Sequence, residues 1–192
     1  MLMMPRHQER GDTLIEVLVA IATLAVVVVG AFSLMSRGVS QMYDSMERSQ
    51  VRMLLNSQID ALTYARDEYT RSLQPSLTGI STESDAAAQE VWDDVQTNVT
   101  SLTTAPSLDG CSDADAANAF WIDTSGLLLL KKTGFKALSD GFPAPGSGIW
   151  IQKIDHSGGS IPYKDFYVRA CWTPTGSSVT QVISTVVRLY DQ

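Results

Sequence analysis

The sequence contains few of the side chains that enzymes use for chemistry. Of its 192 residues, two are cysteines and two are histidines, and His156 is the one histidine in the part beyond the N-terminal apolar stretch. No nucleophile motif and no metal-binding spacing of paired cysteines or histidines accompanies them. We therefore expect a protein that is not an enzyme and that carries no metal and no other cofactor.

Basic residues are also scarce. The chain has 14 lysines and arginines against 21 aspartates and glutamates, which gives a formal net charge of -7, and its isoelectric point is about 4.7. The overall field of such a protein repels phosphate, so nonspecific binding of nucleic acid through a generally basic surface is not indicated. A local basic patch stays compatible with this composition.

Charge is absent altogether from the stretch Val17 to Met35. A helix of about 20 apolar residues is long enough to cross the hydrocarbon core of a bilayer, and only Thr23, Gly30 and Ser33 interrupt this one mildly. The length of the remaining chain allows one modest globular domain in addition. We expect a single membrane-spanning segment near the N-terminus.

Glu16 lies directly before this apolar stretch. A carboxylate at the edge of a membrane helix costs on the order of a few kcal/mol unless it is neutralised, which makes Glu16 a candidate functional residue. It also follows Thr13 by three residues, the spacing of a capping box at the start of a helix. Both interpretations of Glu16, a functional carboxylate and a helix cap, follow from the local sequence.

Changes in apolar patterning divide the chain. One-sided apolar positions continue after Met35 and predict an amphipathic helix that stops before Pro75. A single helix from about Thr13 to Leu73 would be roughly 90 Å long at 1.5 Å per residue, so its first half must find a partner outside its own domain. The predicted parts are a leader (1–11), a transmembrane or filament-core helix (12–36), an amphipathic helix (37–74), a variable loop region with a short helix (75–118) and a β-sheet (119–192).

The C-terminal part favours short elements. A short helix capped near Ser84 is indicated by apolar residues at helical spacing, namely Ala88, Val91, Trp92, Val95, Val99 and Leu102. Strands follow with turn signals between them, at 120–123, 127–132, 148–155, 166–172 and 179–190. Short connections favour antiparallel pairing. The expected fold class is α+β, with the long N-terminal helix packed through its amphipathic half on a C-terminal antiparallel sheet.

Cys111 and Cys171 both follow the apolar stretch, in the part that would be exported. An oxidising compartment makes a structural disulfide the expected state of this pair. Acidic side chains around Cys111 offer oxygen ligands for Ca²⁺, namely Asp109, Asp113 and Asp115, but their spacing matches no calcium-loop motif and favours a solvated loop. The four tryptophans, Trp92, Trp121, Trp150 and Trp172, are expected to pack in the core rather than to form a ligand platform.

The stretch from Gly11 to Ala20, GDTLIEVLVA, resembles the class III signal of type IV prepilins and type II secretion pseudopilins. The resemblance implies that a prepilin peptidase cuts after Gly11, that the new N-terminal residue Asp12 is N-methylated, and that Glu16 at the fifth mature position acts in assembly. Asp12 stands where the family most often has Phe. Cleavage in that family depends mainly on the glycine, so processing is still implied, while efficient methylation is less well supported.

The resemblance also implies partners and location. They are other pilin subunits, the prepilin peptidase, the inner-membrane assembly platform and the membrane itself, with a single-pass inner-membrane precursor that moves into a surface pilus or periplasmic pseudopilus. The polar continuation of the helix resembles minor pilins of the PilV kind. Two alternatives are a minor pseudopilin of type II secretion and an uncleaved, membrane-anchored extracellular binding module.

Overall fold

A computed structural model describes residues 12–74, 83–107, 111, 118–125, 129–132, 136–137, 148–158, 161–174 and 177–190. The predicted leader, including Gly11, lies outside these residues, and so do Asp109, Asp113 and Asp115. The chain divides into two compact units, Met1–Ser45 and Met46–Gln192. Each unit is described by itself below.

A single α-helix, α1, spans Asp12–Ser72 and contributes to both units. It has the extent that the sequence predicts, because neither Gly30 nor Gly38 interrupts it. In the first unit every side chain from Leu14 to Tyr43 is exposed. The exposed residues include large apolar ones such as Phe32, whose exposed fraction is 72%.

The second unit combines the C-terminal part of α1 with a short helix and an antiparallel sheet. The short helix α2 spans Glu83–Thr97. The strands are β1 (Phe120–Asp123), β2 (Leu129–Lys132), β3 (Lys136–Ala137), β4 (Gly148–His156), β5 (Tyr163–Trp172) and β6 (Gln181–Tyr190). Within the described chain their order is β2-β1-β4-β5-β6, with β3 paired to β4, and every pairing is antiparallel. The protein therefore has the α+β architecture that the sequence predicts.

The main core lies between one face of the sheet and the two helices. Alternate residues of β1, β4, β5 and β6 face it, as period-two alternation requires. The buried cluster contains Val51, Leu55, Leu62 and Ala65 from α1, Val91, Trp92 and Val95 from α2, and Phe120, Ile122, Ile149, Ile151, Phe166, Val168, Ala170, Trp172 and Leu189 from the strands. The amphipathic part of α1 thus covers the sheet, as its apolar stripe predicts.

Gln58 connects α1 to β1 within this core. Its side-chain Nε2 donates to the carbonyl oxygen of Ile122, and the backbone N–H of Ile122 donates to Gln58 Oε1, both at 2.9 Å. The Gln58 side chain is 1% exposed. Such a reciprocal pair satisfies two backbone groups that would otherwise be buried without partners, and it fixes the position of β1 along the helix.

The opposite, outer face of the sheet carries a smaller cluster that the sequence does not predict. Ala119, Trp150 and Cys171 are buried there, and Cys111 and Val182 pack against them. The described residues before β1 therefore contact the sheet on the face that α1 and α2 leave open.

Two details of the sequence predictions are wrong. Val99 and Leu102 follow α2 instead of extending it, because the helix ends at Thr97; Val99 is nevertheless buried in the core. Trp121 is half-exposed instead of buried. Side chains alternate between the two faces of a strand, and its neighbours Phe120 and Ile122 take the core-facing positions of β1. The other three tryptophans are buried, as expected.

Candidate assembly site and the polar sites of the folded unit

The candidate assembly residue Glu16 lies in the first turns of α1. The helix begins at Asp12, so Glu16 stands one helical turn beyond its first residue. Its side chain is exposed, as is every other side chain from Leu14 to Tyr43. A carboxylate in this position is accessible to a positive group from outside the chain, and the partial positive charge of the helix start stabilises it.

The helix that carries Glu16 is the candidate membrane segment. Among the described residues one helix, Leu14–Ser72, is long and apolar enough to cross a membrane, and its most apolar window has a mean hydropathy of 2.7 with none of the window buried inside the protein. Water is a poor solvent for this much contiguous apolar surface, which needs lipid or other apolar helices around it. The membrane segment expected from the sequence is consistent with this helix.

The structure joins Cys111 to Cys171 in a disulfide, with the two Cα atoms 5.9 Å apart. Cys171 lies on the outer face of β5 and is buried, while Cys111 is half-buried. The bond connects the segment before β1 to the penultimate strand of the sheet. This is the pairing that the sequence analysis expects for an exported domain.

A buried lysine joins the sheet to the end of α2. Lys153 on β4 is 1% exposed, and its Nζ donates to the carbonyl oxygens of Val95 at 2.7 Å and Gln96 at 3.3 Å. The carboxylate of Asp155 lies 3.5 Å from the same nitrogen. A cation at the C-terminal carbonyls of a helix satisfies otherwise unpaired acceptors and complements the helix dipole. The sequence does not indicate this role of Lys153, because nothing in a strand pattern shows which helix end lies over it.

A polar and aromatic cluster lies at one end of the outer face. Asp165 accepts hydrogen bonds from Arg188 Nε at 2.8 Å and Nη2 at 2.9 Å, and His156 Nε2 lies 3.2 Å from Asp165 Oδ2. His156 stacks on Tyr163 with ring centroids 4.5 Å apart, and the Arg188 guanidinium lies 4.1 Å from the centre of the same ring. The cluster joins β4, β5 and β6 at their paired ends.

Hydrogen bonds shift two pKa values, one in this cluster and one between the two helices. The hydrogen bonds from Arg188 hold the pKa of Asp165 below its usual range, against the opposing effect of burial. Tyr64 on α1 donates a hydrogen bond to Asp85 on α2 at 2.7 Å. This bond to a carboxylate raises the pKa of Tyr64.

The described residues bring together no group of three or more His, Cys, Asp or Glu side chains that could hold a metal ion. The acidic residues considered as calcium ligands lie outside the described chain. Comparison of the sequence and the fold with protein-family profiles, curated proteins and solved structures gives no significant match.

Proposed function

We propose that the protein is a subunit of a type IV pilus, a minor pilin, that is inserted in the inner membrane as a prepilin, cut after Gly11 and assembled into a surface filament. The observation that carries the proposal is the spacing of Gly11, Asp12 and Glu16 directly before an uncharged apolar helix. The exposure of that helix from Leu14 to Tyr43 supports it. The protein acts by assembly and not by catalysis.

The proposed chemistry starts with the cut after Gly11. It creates an α-amino group on Asp12, and the Glu16 carboxylate of a neighbouring subunit pairs with this group as the helices leave the bilayer. Either charge alone is costly in an apolar environment, whereas a pair that is desolvated together is tolerable. The pair also sets the register between helices that would otherwise slide along uniform apolar surfaces. This gives Glu16 a role that a helix cap does not require.

The assembly role of Glu16 is tested in the native host. Glu16→Val leaves membrane insertion intact and lowers the amount of subunit in sheared filaments by about tenfold or more, as expected for a broken apolar ion pair. Glu16→Gln keeps the size of the side chain without its charge and shows the same loss. The matched control Glu90→Gln removes an exposed carboxylate of α2 and leaves incorporation unchanged. Normal incorporation of Glu16→Val would refute the pairing role.

A minor pseudopilin of type II secretion is the nearest alternative. It shares the leader, the cleavage and the Glu16 chemistry, and it differs in the machinery that assembles the subunit. Cross-linking in whole cells followed by identification of the linked partners separates the two. Pilus subunits as partners support the pilin proposal, and components of a secretion system support the alternative.

A further inference from the structure

The turn that follows α2 carries the tripeptide Asn98-Val99-Thr100. An asparagine, then any residue except proline, then serine or threonine is the acceptor sequence for N-linked glycosylation. The chain contains two further asparagines, Asn56 and Asn118, and neither has a serine or threonine two places after it. Asn98 is therefore the one residue of the sequence that meets this requirement.

The structure places both recognition residues of the tripeptide at the surface. The helix α2 ends at Thr97, and the side chains of Asn98 and Thr100 beyond it are exposed. Val99 between them is 8% exposed and belongs to the main core. A glycan is bulky and hydrophilic, so a folded domain can carry it only on an exposed side chain outside the regular elements. Asn98 has this setting.

Asn98 also has an ordinary structural role as the residue that ends α2. Its backbone N–H donates to the carbonyl oxygen of Asp94 at 2.9 Å, and its side-chain Nδ2 donates to Asp94 Oδ1 at 2.5 Å. Asparagine is frequent just beyond the last turn of a helix. This role requires nothing of Thr100, so Thr100 is the residue that distinguishes a glycosylation acceptor from a helix end.

We propose that Asn98 is N-glycosylated by a membrane oligosaccharyltransferase that uses a lipid-linked oligosaccharide. The sugar is joined through its anomeric carbon to a polyprenyl pyrophosphate. The bond from this carbon to the pyrophosphate oxygen breaks, and a bond from the same carbon to Asn98 Nδ2 forms. The amide nitrogen gives one proton to a base of the transferase, and polyprenyl pyrophosphate leaves. The proposal rests on the export of the folded unit, which is part of the proposed function.

The fold also determines when the sugar is attached. The backbone N–H of Leu102 donates to the carbonyl oxygen of Lys153 at 2.8 Å, and this bond, together with the buried Val99, fixes the turn to the rest of the unit. A transferase that holds Asn98 and Thr100 in one site has to enclose Val99 as well, which the folded unit does not allow. Attachment therefore precedes folding, as the chain is exported, and folding leaves the glycan at the surface.

The test is mass spectrometry of the full chain purified from its own host. Chymotryptic cleavage after Trp92 and Leu102 releases residues 93–102, which include the whole tripeptide. We expect this peptide to be heavier by at least one sugar residue, with fragmentation placing the added mass on Asn98. Thr100→Ser keeps the acceptor sequence and should keep the added mass. Thr100→Ala should lose it while leaving the contacts between Asn98 and Asp94 in place, and Asn98→Gln should lose it as well.

An unmodified wild-type peptide overturns the proposal. Added mass that persists in Asn98→Gln lies on a hydroxyl group and overturns it too, as does a sugar on Asn98 that persists in Thr100→Ala. The N-terminus of the same sample separates this proposal from the pilin proposal. A chain that begins at Asp12 and carries no sugar contradicts the glycosylation alone, whereas a chain that keeps its leader and carries the sugar contradicts the pilin proposal alone.

Discussion

The carboxylate of Asp165 on β5 accepts two hydrogen bonds from the guanidinium of Arg188 on β6, at 2.8 and 2.9 Å. The two residues are direct partners in the antiparallel register. The Asp165 side chain is almost buried, whereas the Arg188 side chain remains largely exposed. The Arg188 guanidinium therefore lies between Asp165 and the solvent at the end of β6. The two-point contact fixes both side chains, which a single hydrogen bond would not do.

This pair makes stability depend on pH. Because the pKa of Asp165 is lower in the folded protein than the value of about 3.9 for the unfolded chain, its contribution is complete above that value and is lost as the pH falls through the folded-state pKa. The urea midpoint should therefore fall between about pH 5 and pH 2, and Arg188→Gln should flatten that part of the curve. The control Arg52→Gln, at an exposed position of α1, should leave the slope unchanged. An identical slope for Arg188→Gln would show that the pair does not lower the pKa of Asp165.

Gln58→Leu should be strongly destabilising, although an apolar leucine suits the apolar surroundings of this buried position. The substitution leaves the N–H and carbonyl of Ile122 without the two hydrogen bonds that Gln58 supplies, at a cost of about 2 to 4 kcal/mol in the free energy of unfolding. Gln50→Leu makes the same change at an exposed site of the same helix and should stay within about 0.5 kcal/mol of the wild type. Urea unfolding followed by far-ultraviolet circular dichroism measures both. Equal stability of the two variants would mean that the pair contributes nothing.

The same contrast shows what the sequence can and cannot predict. The extent of α1, its apolar stripe and the alternating strands follow from residue spacing, because each pattern reports on one element at a time. The sequence alone indicates that Gln58 is a polar residue on a helix and that Arg169 and Lys153 are solvent-facing strand residues. Their burial depends on which loop or helix end lies over them, and that is a property of the tertiary structure.

Lys153→Met tests whether the buried lysine fixes the end of α2. Methionine keeps much of the aliphatic volume but removes the donor to Val95 and Gln96, so about 1 to 3 kcal/mol of stability should be lost. Hydrogen exchange should rise most in the last turn of α2. A uniform increase over the whole unit, with no excess in that turn, would contradict a local capping role.

Asp12→Phe tests the residue whose effect on assembly is specific to this chain. In the proposed mature protein the Asp12 carboxylate lies beside its own α-amino group and competes with Glu16 of the neighbouring subunit. Removing it should increase incorporation into filaments at equal expression, measured as the ratio of sheared to membrane-bound subunit. Asp12→Asn removes the charge with little change in size and should give the same direction. A decrease with both variants would show that the carboxylate assists assembly.

The central claim, processing after Gly11, is tested most directly by the intact mass and N-terminal sequence of the protein purified from its own host. We expect a mature chain that begins at Asp12, with or without one added methyl group, and a Gly11→Val protein that keeps its leader. A wild-type chain that still carries Met1 to Gly11 would contradict the account and support a permanent membrane anchor.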